Sequence, residues 1–347
     1  MVQLVNITEP AKPLVSSGWR GDGPAAPGLR DVARAAGVST ASASRALTRP
    51  ERVSEALRER VLYAASTLGY IANSAARSLS LRRFGLVGVM MQGLGDPVEA
   101  ETLRAAEARL SAAGIGLVIG LVGEQAVADA SAQALASRGV DGMLFIGVGI
   151  RPELARWCSD RGLPYASAGQ PIAGGLVPAA GGSLWRRGQD LTQRYLRELG
   201  HERIGVVTGG EIDTVGPALE QRDAAATIEQ GAARLDDADS VRAAVAMLLQ
   251  REVTAIVAMA DMAAVAALRE CRARALAVPQ QISIVGWGDT GLARCSSPTL
   301  TSMRVPASQL GEDAAEGLLA LLAGSEYTWP DRAVKLVIRE SSGAARR

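Results

Sequence analysis

The stretch Leu29-Arg-Asp-Val-Ala-Arg-Ala-Ala-Gly-Val-Ser-Thr-Ala-Ser-Ala-Ser-Arg-Ala-Leu47 decides how the chain is read. Leu29, Val32, Ala33 and Ala36 recur at helical spacing, and Gly37 then supplies the turn that stops the first helix. Ser39 can cap a second helix, which runs through Arg45 to Leu47. Val38 fills the angle between the two helices, and Ala33 lets them approach closely. A third helix is expected from about Ser54, with Leu57, Val61, Leu62, Ala65 and Leu68 on one face and Gly69-Tyr70 at its end. Three short helices joined in this way form a helix-turn-helix head. Its second helix offers Thr40, Ala41 and Arg45 at and one turn beyond its N-terminus, where side chains reach base edges in a major groove. Ser39 and the N-terminal amides of that helix suit a phosphate.

Charge supports the same reading. Between Gly28 and Arg83 ten arginines stand against four acids, a net of +6, which leaves −5 for the rest of a chain whose total is +1. A basic head on an acidic body fits a phosphate-binding module joined to a domain that does not touch nucleic acid.

Working outward, residues 1–27 carry Pro10, Pro13, Pro24 and Pro27 without a periodic apolar face, and are expected to be a disordered extension. They lack the layout of a secretory signal, so a cytoplasmic location is expected. Beyond Arg83 the texture alternates between apolar β-type runs and amphipathic helices. Strands are expected at Leu86–Met91, Gly116–Val122, Gly142–Gly147, Tyr165–Ala168, Ile204–Thr208, Ala255–Met259 and Ile282–Trp287. Helices are expected at Glu99–Ala113, Val127–Arg138, Glu153–Arg161, Gln189–Leu199, Ala218–Gln230, Ser240–Gln250 and Met262–Arg274. Such alternation means parallel sheets wrapped by helices, and the Gly/Pro-rich break at Ala173–Ser183 divides them into two lobes with a cleft between.

At 347 residues and 48% hydrophobic side chains the chain has material for two or three domains and no apolar run of membrane length. Three dispersed cysteines and the single His201 leave no disulfide framework and no metal site, so no cofactor is expected. Walker loops, GxSxG elbows and dinucleotide fingerprints in strand-helix context are absent, which argues against an enzyme.

From Leu29 to Ser341 the chain resembles the lactose/purine repressor family. The resemblance is carried by Val53-Ser-Glu-Ala-Leu-Arg-Glu-Arg-Val61, Leu68-Gly-Tyr-Ile71, Asn73 to Leu79, Gly139-Val-Asp-Gly142, Leu199-Gly-His-Glu-Arg-Ile204, Ser283-Ile-Val-Gly-Trp287 and Val337-Ile-Arg-Glu-Ser341. The run Arg49-Pro-Glu-Arg-Val-Ser54 is similar to the gluconate-repressor branch. The resemblance implies a homodimer on a palindromic operator of double-stranded DNA, a periplasmic-binding-protein-like core, and a small-molecule effector in the cleft, with no membrane involvement. It places the penultimate helix, Ser308–Leu322, on the first lobe and the final strand on the second. The expected division is 1–27 extension, 28–72 head, 73–83 hinge helix and linker, and 84–343 sensing core. Lobe 1 takes about 84–180 plus 307–324, and lobe 2 about 181–306 plus 325–343.

On this reading the DNA contacts are Leu29, Ser39, Thr40, Ala41, Ser44 and Arg45, joined by Asn73, Ala76, Arg77 and Leu79 of the hinge. Leu79 matches the family's wedge between central base pairs. Ala72 stands where the family usually has proline. The effector residues implied are Asp96, Val98, Trp185, Arg222, Asp261, Trp287 and Asp289. Here the chain departs from its relatives: Asp96-Pro-Val-Glu99 replaces an Asn-Pro-Phe-Phe-like run, Leu184-Trp185-Arg186 an Asp-Asn-Arg, and Trp287-Gly288-Asp289 a Phe-Asp-Asp. Three sensing modes stay open. A small acid or polyol could be held by Arg222, Asp261 and Asp289; a flat ligand could be held by Trp185 and Trp287; or the cleft could be collapsed and the regulator uninducible. A transport-type solute-binding protein of the same lobed fold is the rival class, and the basic head speaks against it.

Overall fold

The computed structural model describes residues 27–48, 52–70, 83–122, 125–169, 179–181, 183–209, 227–233, 235 and 237–346. The chain divides into two compact units, one ending at Arg82 and the other beginning at Arg83.

The first unit holds helices α1 (Leu29–Ala35), α2 (Thr40–Thr48) and α3 (Glu55–Leu68). α1 begins where the backbone N–H of Gly28 donates to the Asp31 carboxylate at 2.9 Å, and it ends at Gly37, whose φ of +63° an L side chain would strain. The core is built almost wholly from small side chains: Val32, Ala33, Ala36, Ala43, Ala46, Val61, Ala64 and Ala65. Such residues let three short helices cross closely. On α3 the buried face is Val61, Ala64 and Ala65, with Leu57 packed against it. Leu62 and Leu68, expected on that face, are 44% and 37% exposed. A core of alanines is too narrow to admit two further leucines.

The second unit contains two sheets. The first runs in the order β2-β1-β3-β4-β5, from β1 (Leu86–Met91), β2 (Gly116–Leu121), β3 (Gly142–Ile146), β4 (Tyr165–Ala168) and β5 (Ala179–Ala180), all paired parallel. Around it lie α4 (Pro97–Ala112), α5 (Gln125–Ser137) and α6 (Pro152–Asp160). The second sheet has the order β11-β10-β9-β8-β6-β7. Its strands are β6 (Arg203–Gly209), β7 (Thr227–Ala233), β8 (Ala255–Ala258), β9 (Ser283–Gly288), β10 (Thr301–Arg304) and β11 (Lys335–Val337). Among the described residues only the β10–β11 pair is antiparallel. The helices of this lobe are α7 (Leu184–Glu198), α8 (Ala238–Gln250), α9 (Asp261–Ala273) and the short α10 (Gly291–Cys295).

α11 (Ala307–Leu322) returns to the first lobe, where Leu310, Ala314, Ala315 and Leu318 share a core with Val87, Leu144 and Ala166. It crosses α4 closely, because a Cβ on Gly311 would lie 2.1 Å from the Thr102 carbonyl oxygen. Trp329 packs over Gly317, and Arg332 donates twice to Asp313 at 2.8 Å, so the chain stays on the first lobe past α11 before crossing to β11.

Three expectations change. Thr227–Gln230, read as the end of a helix, belongs to β7 and pairs residue by residue with β6. Helix α7 begins at Leu184, five residues before the expected start, which draws Leu184-Trp185-Arg186 into its first turn. Strand β10 had no signal, because Thr301 and Ser302 are polar and fully buried, their hydroxyls engaged by Ser342 and Asp261. Among the described residues no helix is long and apolar enough to cross a membrane.

Candidate functional site

In the first unit, α2 is fixed at its start by Ser39, whose Oγ accepts from the Ser42 N–H at 3.1 Å. Ala43 and Ala46 turn inward, which leaves Thr40, Ala41 and Arg45 exposed together and Ser44 half-buried. Arg45 lies back along its own helix, with Nε donating to the Ala41 carbonyl at 3.2 Å, and has no acidic partner among the described residues. Leu29 is half-buried against the helical core. This arrangement presents a cation and two short side chains on one face of a rigid rod, which suits entry into a groove of duplex DNA. Asn73, Ala76, Arg77 and Leu79 lie outside the described residues.

In the second unit the C-terminal strand ends of both sheets bring the other named residues together. Asp96, just after β1, caps α4: its Oδ1 accepts from the N–H groups of Val98 at 2.7 Å and Glu99 at 3.4 Å. Burial pushes the Asp96 carboxyl above its ordinary range, against these two N–H bonds, with Asp261 adding to the rise. Burial, and then the nearby Asp96, push Glu99 up to about 8. The Glu99 carboxyl lies on Gly147 after β3, where an added Cβ would meet it at 1.9 Å.

From the second lobe, Asp261 opens α9 and is buried. Its Oδ1 accepts from Ser302 Oγ and its Oδ2 from the Thr290 N–H, both at 2.6 Å. Asp289 sits at φ +52° with a fully buried carboxylate clasped by Arg304 Nε at 2.6 Å and by Arg339. Its own N–H donates to Ser302 Oγ at 3.0 Å. Trp287 is 5% exposed and stacks on Trp185 with ring centroids 4.5 Å apart and planes 5° apart. Gly188 makes room for it, since a Cβ there would lie 2.4 Å from the Trp287 ring. Val98 spans the two lobes: a Cβ on Gly288 would meet its Cγ2 at 2.8 Å.

Asp96, Val98, Asp261, Trp185, Trp287 and Asp289 thus gather around one interlobe region, while Arg222 lies outside the described residues. The two tryptophans stack on each other, so no ring fits between them. Reading the sequence missed Glu99 as a site residue, although it closes the quoted Asp96-Pro-Val-Glu99 run. Ser302, Arg304 and Arg339, which occupy Asp261 and Asp289, were missed as well. Only Arg339 had a pointer, its place in the run Val337–Ser341. A separate groove of about 320 Å³ is lined by Arg187, Asp190, Leu191, Arg194, Ala333 and Val334.

Comparison with known proteins adds the following. Residues 28–73 match the family described as bacterial regulatory proteins, lacI family, and residues 193–342 match a periplasmic binding protein-like domain. The chain is 31% identical over 343 residues to the HTH-type transcriptional regulator CelR of Thermobifida fusca, a match covering 91% of this chain and 98% of that one. It is 31% identical over 334 residues to the HTH-type transcriptional regulator GntR of Pseudomonas aeruginosa, covering 91% and 96%. Among solved structures, a CelR–cellobiose complex superposes with a TM-score of 0.61 at 29% identity, covering 91% of this chain and 99% of that chain. A lac repressor dimer bound to operator and the anti-inducer ONPF superposes with a TM-score of 0.77 at 24% identity, covering 92% and 99%, which is a likeness of fold.

Proposed function

The chain belongs to the lacI family of bacterial regulatory proteins, and from that premise we propose that it represses transcription as a homodimer on a palindromic operator, released or tightened by a small molecule. That it is a DNA-binding transcriptional regulator follows from the family; the residues, the effector and the assembly are our reading. The observation that carries it is the joint exposure of Thr40, Ala41 and Arg45 on a capped α2 whose other face is alanine core. On this reading two copies of α2 enter successive major grooves, Arg45 reads base edges, and Ser39, Ser44 and Leu29 settle the head on the backbone. Asn73, Ala76 and Arg77 line the hinge, and paired Leu79 side chains wedge the central step. We place the protein in the cytoplasm with its DNA, and we assign it no catalytic step.

The effector is proposed to be a carbohydrate in the interlobe cleft; the similar CelR is solved as a complex with cellobiose. Its binding changes the angle between lobes and so the spacing of the two hinges. One observation favours a second reading, a cleft without inducer: Asp289 and Asp261 already spend their carboxylates on internal donors. Selection of operators from a random duplex library with the full chain tests the first part. A symmetric consensus is expected, with Arg45→Ala weakening specific binding by about 1–3 kcal/mol. Failure to enrich any sequence at low salt would overturn the reading.

A further inference from the structure

The chain passes between the two lobes after β5, after β10 and after α11, and the residues at these joints belong to both cores. Leu184, in the first turn of α7, packs in the core of the first lobe, while its neighbour Trp185 packs against that of the second. Val305, between β10 and α11, and Val334, just before β11, each pack against both cores. Apolar contacts are non-directional, so joints of this kind let one lobe turn on the other without fixing the angle.

Two consecutive residues of opposite charge supply what the apolar joints lack. Arg332 reaches back to the first lobe, where Nε and Nη2 each donate to Asp313 of α11 at 2.8 Å. Asp331 reaches to the second lobe, where Arg187 of α7 donates to it from Nη1, at 2.8 Å, and from Nη2. Arg187 Nη2 also donates to the Arg332 carbonyl at 2.6 Å, and Ser183 Oγ donates to Asp331 at 3.3 Å. Paired guanidinium–carboxylate bonds of this kind are directional as well as strong. The peptide between Asp331 and Arg332 is therefore held by one lobe on each side, and a turn of the lobes must break one of the pairs. The two halves are unequal. The side chains of Arg187 and Asp331 are 41% and 71% exposed, against 31% and 6% for Arg332 and Asp313. The groove of about 320 Å³ lined by Arg187, Leu191, Ala333 and Val334 opens at the same joint and gives solvent ions access to it. Salt weakens exposed ion pairs and leaves partly buried ones largely intact.

We propose that Asp331 and Arg332 form an ion-sensitive clasp on the lobe angle, with Arg332–Asp313 the fixed half and Arg187–Asp331 the half that salt releases. At low ionic strength the clasp holds the lobes in one arrangement. At high ionic strength the second lobe turns on the apolar joints alone, and a second arrangement becomes populated. The clasp lies outside the cleft and acts whatever molecule fills it. Ionic strength thus reaches the core by a route separate from any phosphate contacts of the head.

The test is a spin-label distance measurement across the lobes of the full chain, without DNA or effector. Cys158 and Cys271 are buried and Cys295 is exposed, so labels go on Ser111→Cys of α4 and Gln250→Cys of α8 in a Cys295→Ser background. Labelled chain is mixed with an excess of unlabelled chain, so that distances within one copy are read. Sodium chloride is raised from about 0.1 M to about 1 M, which shortens the screening length from about 10 Å to about 3 Å. The wild-type distribution is expected to be narrow at low salt and to gain a second distance at high salt, its share rising by up to about fivefold. Asp331→Asn and Arg187→Gln should each show that second distance already at low salt and respond little to more salt. Arg187→Lys, which keeps the charge, should retain part of the response. A wild-type distribution that ignores salt overturns the proposal. So does an Asp331→Asn chain that responds as the wild type does, or an Arg187→Lys chain that matches Arg187→Gln. Urea midpoints of the variants, expected near that of the wild type because the pair is half exposed, keep an unfolded chain from being read as an open one.

Discussion

Glu99 and His201 pull the pH dependence of stability in opposite directions. Burial raises the Glu99 carboxyl to about 8 from 4.5, so the folded chain holds this proton more tightly than the unfolded one. Its contribution is fully present below 4.5 and is lost as pH rises through 8. Glu99→Gln should remove that loss, giving a higher Tm than wild type at pH 8 and above and little difference near pH 4; a wild-type Tm equal to the variant's at pH 9 would refute this. His201 is buried between Thr254, at 2.9 Å from Nδ1, and the Gly343 carbonyl, at 3.0 Å from Nε2, and burial lowers its affinity for protons. There the unfolded chain binds the proton more readily, so stability falls as pH drops below the ordinary 6.5. The His201→Asn variant should lose that acid-side slope, read from urea midpoints between pH 5 and 7. Asp289 is a tie between strands on either reading of the cleft. Asp289→Ala strands Arg304 and Arg339, at a cost of about 2–4 kcal/mol, taken toward the low side because Arg304 is half exposed.

At the level of elements, the crossing of α4 and α11 depends on the missing side chain of Gly311. A methyl group there would lie 2.1 Å from backbone, which cannot move aside as a flexible side chain can. Gly311→Ala should therefore cost about 1–3 kcal/mol by urea denaturation, and a neutral result would show that the two helices can slide apart. At α2 the Ser39 cap is worth about 1 kcal/mol to the head, so Ser39→Ala should weaken DNA binding mainly by fraying the reading helix. The helices of the head were legible from residues 29–69 because each signal is local: alanines at helical spacing, Ser39 as cap, Gly37 and Gly69 as stops. β7 was not legible. Thr227-Ile-Glu-Gln-Gly-Ala-Ala has no clean alternation, and it is an extended strand because β6 lies beside it to pair with.

For the whole molecule, the charge division of +6 in the head and −5 elsewhere predicts strongly salt-dependent binding. Log affinity should fall linearly with log salt, by about 0.9 for each phosphate neutralised. A slope near zero in a filter-binding titration would mean that the basic head does not lie on the phosphates. The same division keeps the acidic core from competing with the head for the duplex.

The amino-acid order alone settled the helix-turn-helix head, the alternation that yields parallel sheets, and the family, because each is written in side-chain spacing over a few turns or strands. It also nominated Asp96, Asp261 and Asp289. The Asp96 cap is local, but what Asp261 and Asp289 do was decided by the tertiary structure, since their partners Ser302, Arg304 and Arg339 lie on other segments and reach them only when the second sheet assembles. The raised proton affinity of Glu99 is likewise a product of packing: desolvation belongs to a folded interior and has no signature along the chain.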